Sequence, residues 1–474
     1  MGDVKLAIPL FGKMATRSFH NALFRKSLSQ CGFDPVYFVD SHYLDSGALD
    51  LSRYHKLQTE VYDKLLKRSR LLTGLTALRR FAVRTETTDL RFRESIEELL
   101  YGTAPVSHAW LYGAGMDLLR RVPRVAGLAA FVENLLFRTH AHDATLQGNG
   151  VQAVLTPGMG SYGFWNEGFF AREARRFGLP VFAAITNYDN VVNRGFRGFE
   201  PQCLAVWSRQ MADETVRLQA MPASRIEITG PAQFDRYFKP LSVSREEFLR
   251  AKGLDPSRQT ILFAGGWNLT HYYEVYRLLI ENGRACRDLQ CNFVVRPHPH
   301  FKILSAPTWA VLEKWLACAE GVYVSDETEG SFDSVVSADA RRDVDPDSDL
   351  DELHCLLAYS DVLINVFSTV SLEAAICDLP TIHLGYDAYT GGQRFVSTVA
   401  HQQRQTHNLR KLRLAAARVA KDGSDLMRHI DFYLGNRAAE AAERRTYALS
   451  ECEYLDGRCS ARLAQMLHDR LGRR

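Results

Sequence analysis

The chain has 474 residues, more than a single hydrophobic core usually supports, and this length predicts two or three compact units. Hydrophobic residues make up 46% of the chain and charged residues 24%, which excludes an intrinsically disordered or collagen-like protein. The formal net charge is only +3, so a dedicated nucleic-acid-binding protein is not expected. An anionic ligand would therefore have to be bound by a local group of basic residues.

The cysteines and the apolar runs bear on the cellular compartment. Nine cysteines are an odd number, and none forms a C-x-x-C pair, which favours reduced thiols over a disulfide framework or a structural metal site. The apolar run at residues 6–12 is too short for a signal peptide. The run at 125–132 falls far short of the roughly 18 residues that a membrane span requires. We therefore expect a soluble, cytoplasmic protein.

The first half of the chain alternates strands with helical segments. Residues 4–11 are predicted to form a strand, followed by a turn at Gly12, a helix to about residue 30 and a second strand over 36–40. Helical spacing dominates 56–147. Three more short apolar strands are then predicted, at 153–156, 181–185 and 203–207. This order is typical of a parallel sheet covered by helices.

A Pro- and aromatic-containing connector at residues 231–244 predicts a domain boundary, and a second alternating unit follows it. Its predicted strands cover 260–264 and 292–296. The eleven acidic residues within 326–352 predict a solvated loop, with a metal-binding cluster as the less favoured alternative. Beyond 405 we predict only helices, over 408–421, 424–434, 437–450 and 460–471. We expect domains at 1–238 and 239–405, with a helical tail at 406–474.

The clearest candidate site follows the strand at 292–296. The strand ends in Arg296, and His298 stands between two prolines that bias both residues toward extended conformations. Ligands of open parallel sheets bind at the carboxyl ends of the strands, so these two side chains are candidates for an anion site. Alternatively, His298 caps a loop. A metal site shared with His300 is less favoured, because no Cys or acidic ligand lies at a matching spacing.

A second candidate site lies where the strand at 362–367 meets a helix. Ser368 and Thr369 are good helix N-cap residues, and Ser371 lies in the same first turn. The free amides of that turn and the helix dipole would stabilise a phosphate. Glu373, about one turn further on, could accept hydrogen bonds from ribose hydroxyls. Plain capping without a ligand is the alternative.

Glycines follow the strand at 260–264. Gly265 and Gly266 would permit a close approach of the backbone to a ligand. All three features stand at strand ends of one predicted domain, so parallel packing would bring them to a single crevice.

The first half offers two candidates for a general base. Asp189 follows the strand at 181–185, and His20 follows the first strand at the start of a helix. Either could take a proton from an acceptor, although each also has a structural interpretation as a turn or helix-start residue. His140 and His142 are two positions apart and would not share a helix face, so no metal site is predicted there.

These strand-end motifs resemble the two-domain GT-B glycosyltransferases. The similarity is to the bacterial surface-polysaccharide group that shares an R-x-H-P type motif with CDP-glycerol glycerophosphotransferases and polysialyltransferases. It covers most of residues 150–465 and is poor over 40–150. The sequence segments that carry it are 186–190, 206–207, 228–235, 296–299, 367–374 and 456–462.

The resemblance implies a fold and a site. The fold would have two Rossmann-like domains facing a cleft, with C-terminal helices crossing back to the first. His298, Ser368 and Thr369 would hold the donor's phosphates, and Arg296 would neutralise charge that grows on the leaving diphosphate. We identify no D-x-D motif and therefore expect a metal-independent mechanism, and no cofactor is expected. The acidic base motif of polysialyltransferases is not matched, so Asp189, His20 and His298 stay open as catalytic candidates.

The expected function is transfer of a sugar from a nucleotide-activated donor to a surface or capsular glycan, or to a lipid-linked acceptor. Three alternatives stay open: a CDP-glycerol-type glycerophosphotransferase, a nucleotide-sugar 2-epimerase, and a non-catalytic nucleotide-sugar-binding protein. No nucleic-acid partner is expected. The Arg-rich tail, with Arg470, Arg473 and Arg474, predicts either peripheral contact with an anionic inner membrane or solvated helix faces.

Overall fold

The computed structural model describes most of the chain with its side chains. The described residues are 3–11, 13–39, 54–101, 113–119, 121–122, 125–159, 166–196, 199–265, 274–275, 291–297, 321–325, 346–387 and 398–472. They form two compact units. Unit 1 comprises the described residues up to Asp235 and from Ser450 on, and unit 2 comprises those from Arg236 to Leu449.

Unit 1 is built on a parallel sheet with the strand order β3-β2-β1-β4-β5-β6-β7. Most of its residues are apolar and buried, as expected for a parallel sheet covered on both faces. The strands are β1 (Val4–Pro9), β2 (Phe33–Val39), β3 (Tyr54–Lys56), β4 (Ala153–Pro157), β5 (Val181–Ala184), β6 (Leu204–Val206) and β7 (Ile226–Ile228).

The helices of unit 1 connect these strands and form a helical region between β3 and β4. They are α1 (Lys13–Phe19), α2 (Ala22–Gln30), α3 (Thr59–Arg68), α4 (Arg70–Ala82), α5 (Glu86–Tyr101), α6 (Val125–Leu136), α7 (Asp143–Gly148), α8 (Asn166–Arg176), α9 (Asn190–Asn193) and α10 (Arg209–Gln219). Residues 113–119 are helical as well. No helix in the described ranges has the length and apolar character to cross a membrane.

Unit 2 repeats the parallel design with the strand order β10-β9-β8-β11-β12-β13. Its strands are β8 (Thr260–Ala264), β9 (Asn292–Arg296), β10 (Val322–Val324), β11 (Val362–Asn365), β12 (Thr381–Leu384) and β13 (Arg418–Ala420). The helices between Ser244 and Cys452 are α11 (Arg245–Ala251), α12 (Pro346–Tyr359), α13 (Val370–Ile376), α14 (Val399–Gln403), α15 (Thr406–Arg413), α16 (Gly423–Gly435) and α17 (Ala441–Cys452).

The last helix, α18 (Cys459–Gly472), belongs to unit 1. It packs on α2, and Leu463, Ala464 and Leu467 join the same buried core as Phe24. The C-terminal helix thus packs back onto the N-terminal sheet layer, as the sequence predicts.

The predicted tail differs from the structure before residue 450. The prediction of helix throughout 408–421 is wrong, because α15 ends at Arg413 and β13 follows it. Ala415 has a left-handed φ of 50°, which ends the helical path, and β13 then pairs with β12. Residues 406–449 therefore lie in unit 2. The acidic segment also differs from the predicted loop at its end, since α12 begins at Pro346.

Candidate functional site

The sheet of unit 2 reverses its direction of growth between β8 and β11. From β8 the chain continues to β9 and β10 on one side, and from β11 to β12 and β13 on the other. Open α/β sheets bind ligands beside such a point, outside the carboxyl ends of the strands. Gly265 follows β8 and Ser368 follows β11, so two residues predicted for donor binding lie on either side of this reversal point. Gly266, also predicted there, lies outside the described residues.

A hydrogen-bonded turn joins the ends of β8 and β11. The buried Asn365 side chain donates to the Ala264 carbonyl over 2.8 Å and to Ser368 Oγ over 2.8 Å. Its Oδ1 accepts from the Ser368 amide over 2.8 Å. Asn365 therefore fixes the path that leads from the strand into α13.

The hydroxyl residues after this turn are half-buried or buried. Ser371 Oγ donates to the Ser368 carbonyl over 2.7 Å. Thr369 precedes the first helical residue, but its side chain makes no capping hydrogen bond, so the plain capping interpretation does not account for it. The structure thus brings Ser368, Thr369 and Ser371 together at the start of α13.

Phe367 adopts a backbone conformation that is rare for its type. Its φ is 51°, in the left-handed region, which costs a non-glycine residue about 1 to 3 kcal/mol. The His383 ring stacks on the Phe367 ring with centroids 4.3 Å apart, and its Nδ1 accepts from the Phe367 amide over 3.2 Å. These contacts stabilise the backbone conformation of Phe367 between β11 and α13.

A buried lysine lies behind the first turn of α13. Lys411, from α15, donates to Ser371 Oγ over 2.6 Å, and its ammonium is 5.8 Å from the centroid of the Phe367 ring. Burial, and then the charge of Lys411, hold the pKa of His383 well below its usual value, so the imidazole is neutral. Positive charge is thereby concentrated at this end of α13. The sequence motifs did not single out Lys411.

Arg296 lies at the end of β9 in a network of ion pairs. Its Nη1 donates to Ser325 Oγ over 2.9 Å and stands 3.5 Å from Glu352 Oε2. Lys252 approaches the other oxygen of Glu352 at 2.5 Å. Burial disfavours the Glu352 carboxylate, but hydrogen bonds from Lys252, Ser325 and Tyr323 outweigh it and lower the pKa. The guanidinium charge is thus partly compensated within unit 2. His298 lies outside the described residues.

Glu373 is buried and accepts a hydrogen bond from the Tyr237 hydroxyl. Burial, and then the Glu373 charge, raise the pKa of Tyr237 well above its usual value, so this phenol is a hydrogen-bond donor. One oxygen of the carboxylate is therefore engaged within unit 2. The predicted role of Glu373 toward ribose hydroxyls stays a prediction.

The two candidate bases lie in unit 1, and both are buried. His20 is enclosed by the rings of Tyr37 and Tyr54, with its Nε2 2.5 Å from the Tyr54 hydroxyl. Asp189 accepts from the Asn193 side-chain amide over 2.8 Å. Each group has a structural partner, and the assignment of a base stays open.

His140 and His142, two positions apart in the sequence, have different partners. His142 is buried, with Nδ1 2.8 Å from Glu173 and Nε2 accepting from the Gln58 amide over 3.0 Å. His140 is exposed and bonds Asp143. Within the described ranges, no group of three or more His, Cys, Asp or Glu side chains could hold a metal ion.

Two sequence signals were missed. Gly158, Gly160 and Gly163 form a Gly-x-Gly-x-x-Gly pattern between β4 and α8, beside the point where the sheet of unit 1 reverses at β1 and β4. Gly158 has a φ of 80° and donates to the Ala184 carbonyl over 2.6 Å, whereas the other two lie outside the described residues. The second signal is a D-x-D spacing that recurs between Asp343 and Asp351. The expected metal independence stays a prediction.

Comparison with known proteins identifies the fold. No family model matches the chain, and no curated protein matches it. The S. aureus MnaA structure with UDP is similar over 99% of this chain and 97% of its own, at a TM-score of 0.53 and 12% identity. The UDP-GlcNAc 2-epimerase of Neisseria meningitidis bound to UDP-GlcNAc is similar over 98% and 100%, at 0.51 and 10%. The UDP-GlcNAc 2-epimerase of Methanocaldococcus jannaschii is similar over 98% and 99%, at 0.51 and 10%.

These similarities, together with the two parallel sheets, show the GT-B fold of two Rossmann-like domains. The fold class predicted from the sequence is confirmed.

Proposed function

We propose that the protein is a glycosyltransferase that moves a sugar from a nucleotide-activated donor to a surface or capsular glycan. The donor's diphosphate would bind at the turn between β11 and α13, held by Ser368 and Thr369 with Arg296 and His298. The observation that carries this proposal is the position of that turn at the strand reversal, with the charge of Lys411 behind it.

The electrostatics of this turn suit a leaving nucleotide diphosphate. The amides at the start of α13 and the Lys411 ammonium both favour negative charge. Negative charge on the diphosphate grows as the bond to the sugar breaks, so these groups stabilise the transition state more than the bound donor. Such a mechanism needs no metal ion, and none is proposed.

The acceptor would bind unit 1, with Asp189 or His20 as the base that takes the proton of its hydroxyl. The motif resemblance favours an acceptor of the bacterial surface-polysaccharide group, either a glycan or a lipid-linked glycan, reached from the cytoplasm. The same resemblance leaves a CDP-glycerol-type donor as a variant of the proposal.

A second candidate function is epimerisation of a nucleotide sugar at C2. It is favoured by the similarity of nearly the whole chain to UDP-GlcNAc 2-epimerases. An epimerase acts on the nucleotide sugar alone, whereas a transferase needs an acceptor.

The two candidates are separated by incubating the protein with UDP-GlcNAc and other nucleotide sugars, with and without a glycan acceptor. The transferase predicts nucleotide release and a longer glycan only when the acceptor is present. Formation of the C2 epimer without acceptor would establish the epimerase instead. Binding without turnover of any donor and acceptor pair would indicate a non-catalytic binding protein.

The variant Thr369→Ala tests the site in the same assay. We expect about a tenfold loss of turnover, because a hydroxyl that would bond the phosphate is removed without loss of a capping bond. Thr446→Ala is the matched control, since the Thr446 hydroxyl bonds the Ala442 carbonyl of its own helix. Equal activity of the two variants would remove Thr369 from the donor site.

A further inference from the structure

The helix α6 shows an inverted distribution of polar and apolar side chains. Its sequence, VAGLAAFVENLL, holds one charged residue, Glu133. Glu133 is buried and forms an ion pair with the buried Arg79 of α4 at 2.9 Å. The charge of the helix therefore faces the protein, whereas a surface helix of a water-soluble domain places charge outward.

The opposite face of α6 is apolar and exposed. Leu128, Phe131 and Leu135 recur at helical spacing, and each exposes more than half of its surface, at 63%, 64% and 56%. Leu136 is exposed to a similar extent. Burying large side chains of this kind is worth about 1.5 to 3 kcal/mol each, so leaving four of them in water on one helix is unfavourable.

The exposed surface continues into the segment before α6. Leu118, Leu119 and Val122 are also exposed. We call these residues and the exposed face of α6 the apolar patch. None of these residues belongs to the small buried cluster of this helical region, which consists of Phe81, Phe92 and Met116. Exposed apolar side chains grouped in neighbouring segments of the chain indicate an interaction site.

Two exposed arginines accompany the apolar patch, one within its first segment and one after its last residue. Arg121 lies just before α6 and Arg138 just after it, and both are exposed. Residues 113–138 hold four arginines, at 120, 121, 124 and 138, against Asp117 and Glu133. Glu133 is paired with Arg79 and Asp117 with Arg121, so among the described residues Arg138 leaves the patch with a net positive charge. An apolar face bordered by cations complements an anionic lipid surface.

We propose that the apolar patch docks the protein on a membrane that contains anionic lipids. α6 has 12 residues, about 18 Å of helix, so it lies in the interface and does not span the bilayer. A symmetric dimer through the patch is disfavoured, because it would bring two arginine-bordered surfaces together. This inference does not depend on the proposed enzymatic function.

This site differs from the membrane contact that the C-terminal arginines predict. In the structure Arg470 pairs with Glu227 at 3.0 Å, and Arg473 and Arg474 lie outside the described residues. The apolar patch supplies what a basic tail alone lacks, namely side chains that insert below the headgroups.

The test is co-sedimentation of the full chain with vesicles of phosphatidylcholine alone or with about 30% phosphatidylglycerol. We expect binding to the anionic vesicles that weakens with added salt. Phe131→Ser with Leu135→Ser should weaken it about tenfold or more, because two inserting side chains are lost. The melting temperature of this double variant should equal that of the native chain, because both side chains are exposed. Phe238→Ser with Leu449→Ser, at exposed positions elsewhere, is the matched control.

A second pair of substitutions tests the charges. Arg121→Gln with Arg138→Gln should reduce the preference for anionic over neutral vesicles while leaving the apolar patch intact. The proposal is overturned if the native chain stays in the supernatant with anionic vesicles, or if the Phe131→Ser and Leu135→Ser chain sediments like the native one. A dimer in solution that these two substitutions dissociate, without vesicle binding, would assign the patch to a second copy of the chain.

Discussion

Lys411 is a buried cation at the start of α13, in the candidate site of unit 2. A buried ammonium is costly unless it serves a partner, and here it lies beside the hydroxyl of Ser371 at the start of α13. In the proposed donor site, the charge of Lys411 would add to that of the α13 amides in favouring the diphosphate. Phe367, in its left-handed conformation beside this lysine, belongs to the same strained turn.

The variant Lys411→Met separates binding from stability at this site. The substitution keeps the length of the side chain but removes the hydrogen bond to Ser371, so we expect a loss of about 1 to 2 kcal/mol in the free energy of unfolding, with the chain still folded. Nucleotide affinity should fall about tenfold. Lys239→Met, at an exposed position, is the control in a titration of both variants with UDP. Equal affinities would show that Lys411 has a purely structural role.

His354 gives a prediction about pH. Burial, and then the charge of Arg236, lower its pKa to about 4, whereas the unfolded chain has the ordinary value near 6.5. Between about pH 6.5 and about pH 4, His354 binds a proton in the unfolded chain but not in the folded chain. The free energy of unfolding therefore falls as the pH is lowered through this range.

The variant His354→Gln, which does not titrate, should lose less stability between about pH 7 and about pH 5 than the native chain. The expected difference in the free energy of unfolding is about 2 kcal/mol. Urea unfolding at the two pH values measures it. Parallel losses in both proteins would mean that His354 is accessible to protons in the folded state.

The sequence predicts some of these residues and not others for a physical reason. Ser368 and Thr369 are found from local pattern, since a strand, two hydroxyl residues and a helix follow one another directly. Lys411 reaches Ser371 across 40 positions of sequence, and Glu352 reaches Arg296 across 56. Contacts of that kind depend on tertiary packing, which local pattern does not encode.

At the scale of elements, two of the motifs behind the family resemblance meet each other. Asp235 ends the motif at 228–235, and its carboxylate accepts from the amides of Cys459 and Ser460 over 2.8 and 2.6 Å. These amides open α18, in the motif at 456–462. Gly230, at φ 76°, lies so close to Cys459 that an added Cβ would come within 2.4 Å of its sulfur. Both motifs therefore have a structural role in anchoring the last helix.

Asp235→Ala should weaken this anchor. Two buried amides at the start of α18 lose their acceptor, and we expect a loss of about 1 to 3 kcal/mol in the free energy of unfolding. The exposed Asp213→Ala is the control. Urea unfolding measures the loss, and limited proteolysis should release the C-terminal helix first. A variant as stable as the control would mean that apolar packing alone holds α18.

The elements themselves are predicted where they are long and apolar, and missed where they are short. The strands β1, β8 and β11 follow from buried apolar runs. β13 has three residues, one of them Arg418, which lies over the ring of Phe432 at 3.7 Å and bonds Glu440. Its side chain packs on α16, so an arginine occupies a position where an apolar residue would have indicated a strand.

At the scale of the whole molecule, each unit holds a parallel sheet that reverses its growth once, at β1 and β4 in unit 1 and at β8 and β11 in unit 2. The alternation of strands and helices in the sequence predicts this class of fold. It does not predict that residues 418–420 complete the second sheet, or that α6 presents an apolar face. A fold of this class hosts several chemistries, so the donor site must be tested directly.

The most direct test is isothermal titration of the native chain and of Ser368→Ala with Thr369→Ala, using UDP, CDP, CMP and GDP. We expect at least one nucleotide to bind the native chain, and the double variant to bind it at least about tenfold more weakly. The double variant loses the hydrogen bond from Asn365 to Ser368 Oγ, so its melting temperature should fall while the chain stays folded. A donor site at Ser368 and Thr369 is ruled out if none of the nucleotides binds, or if the double variant binds as tightly as the native chain.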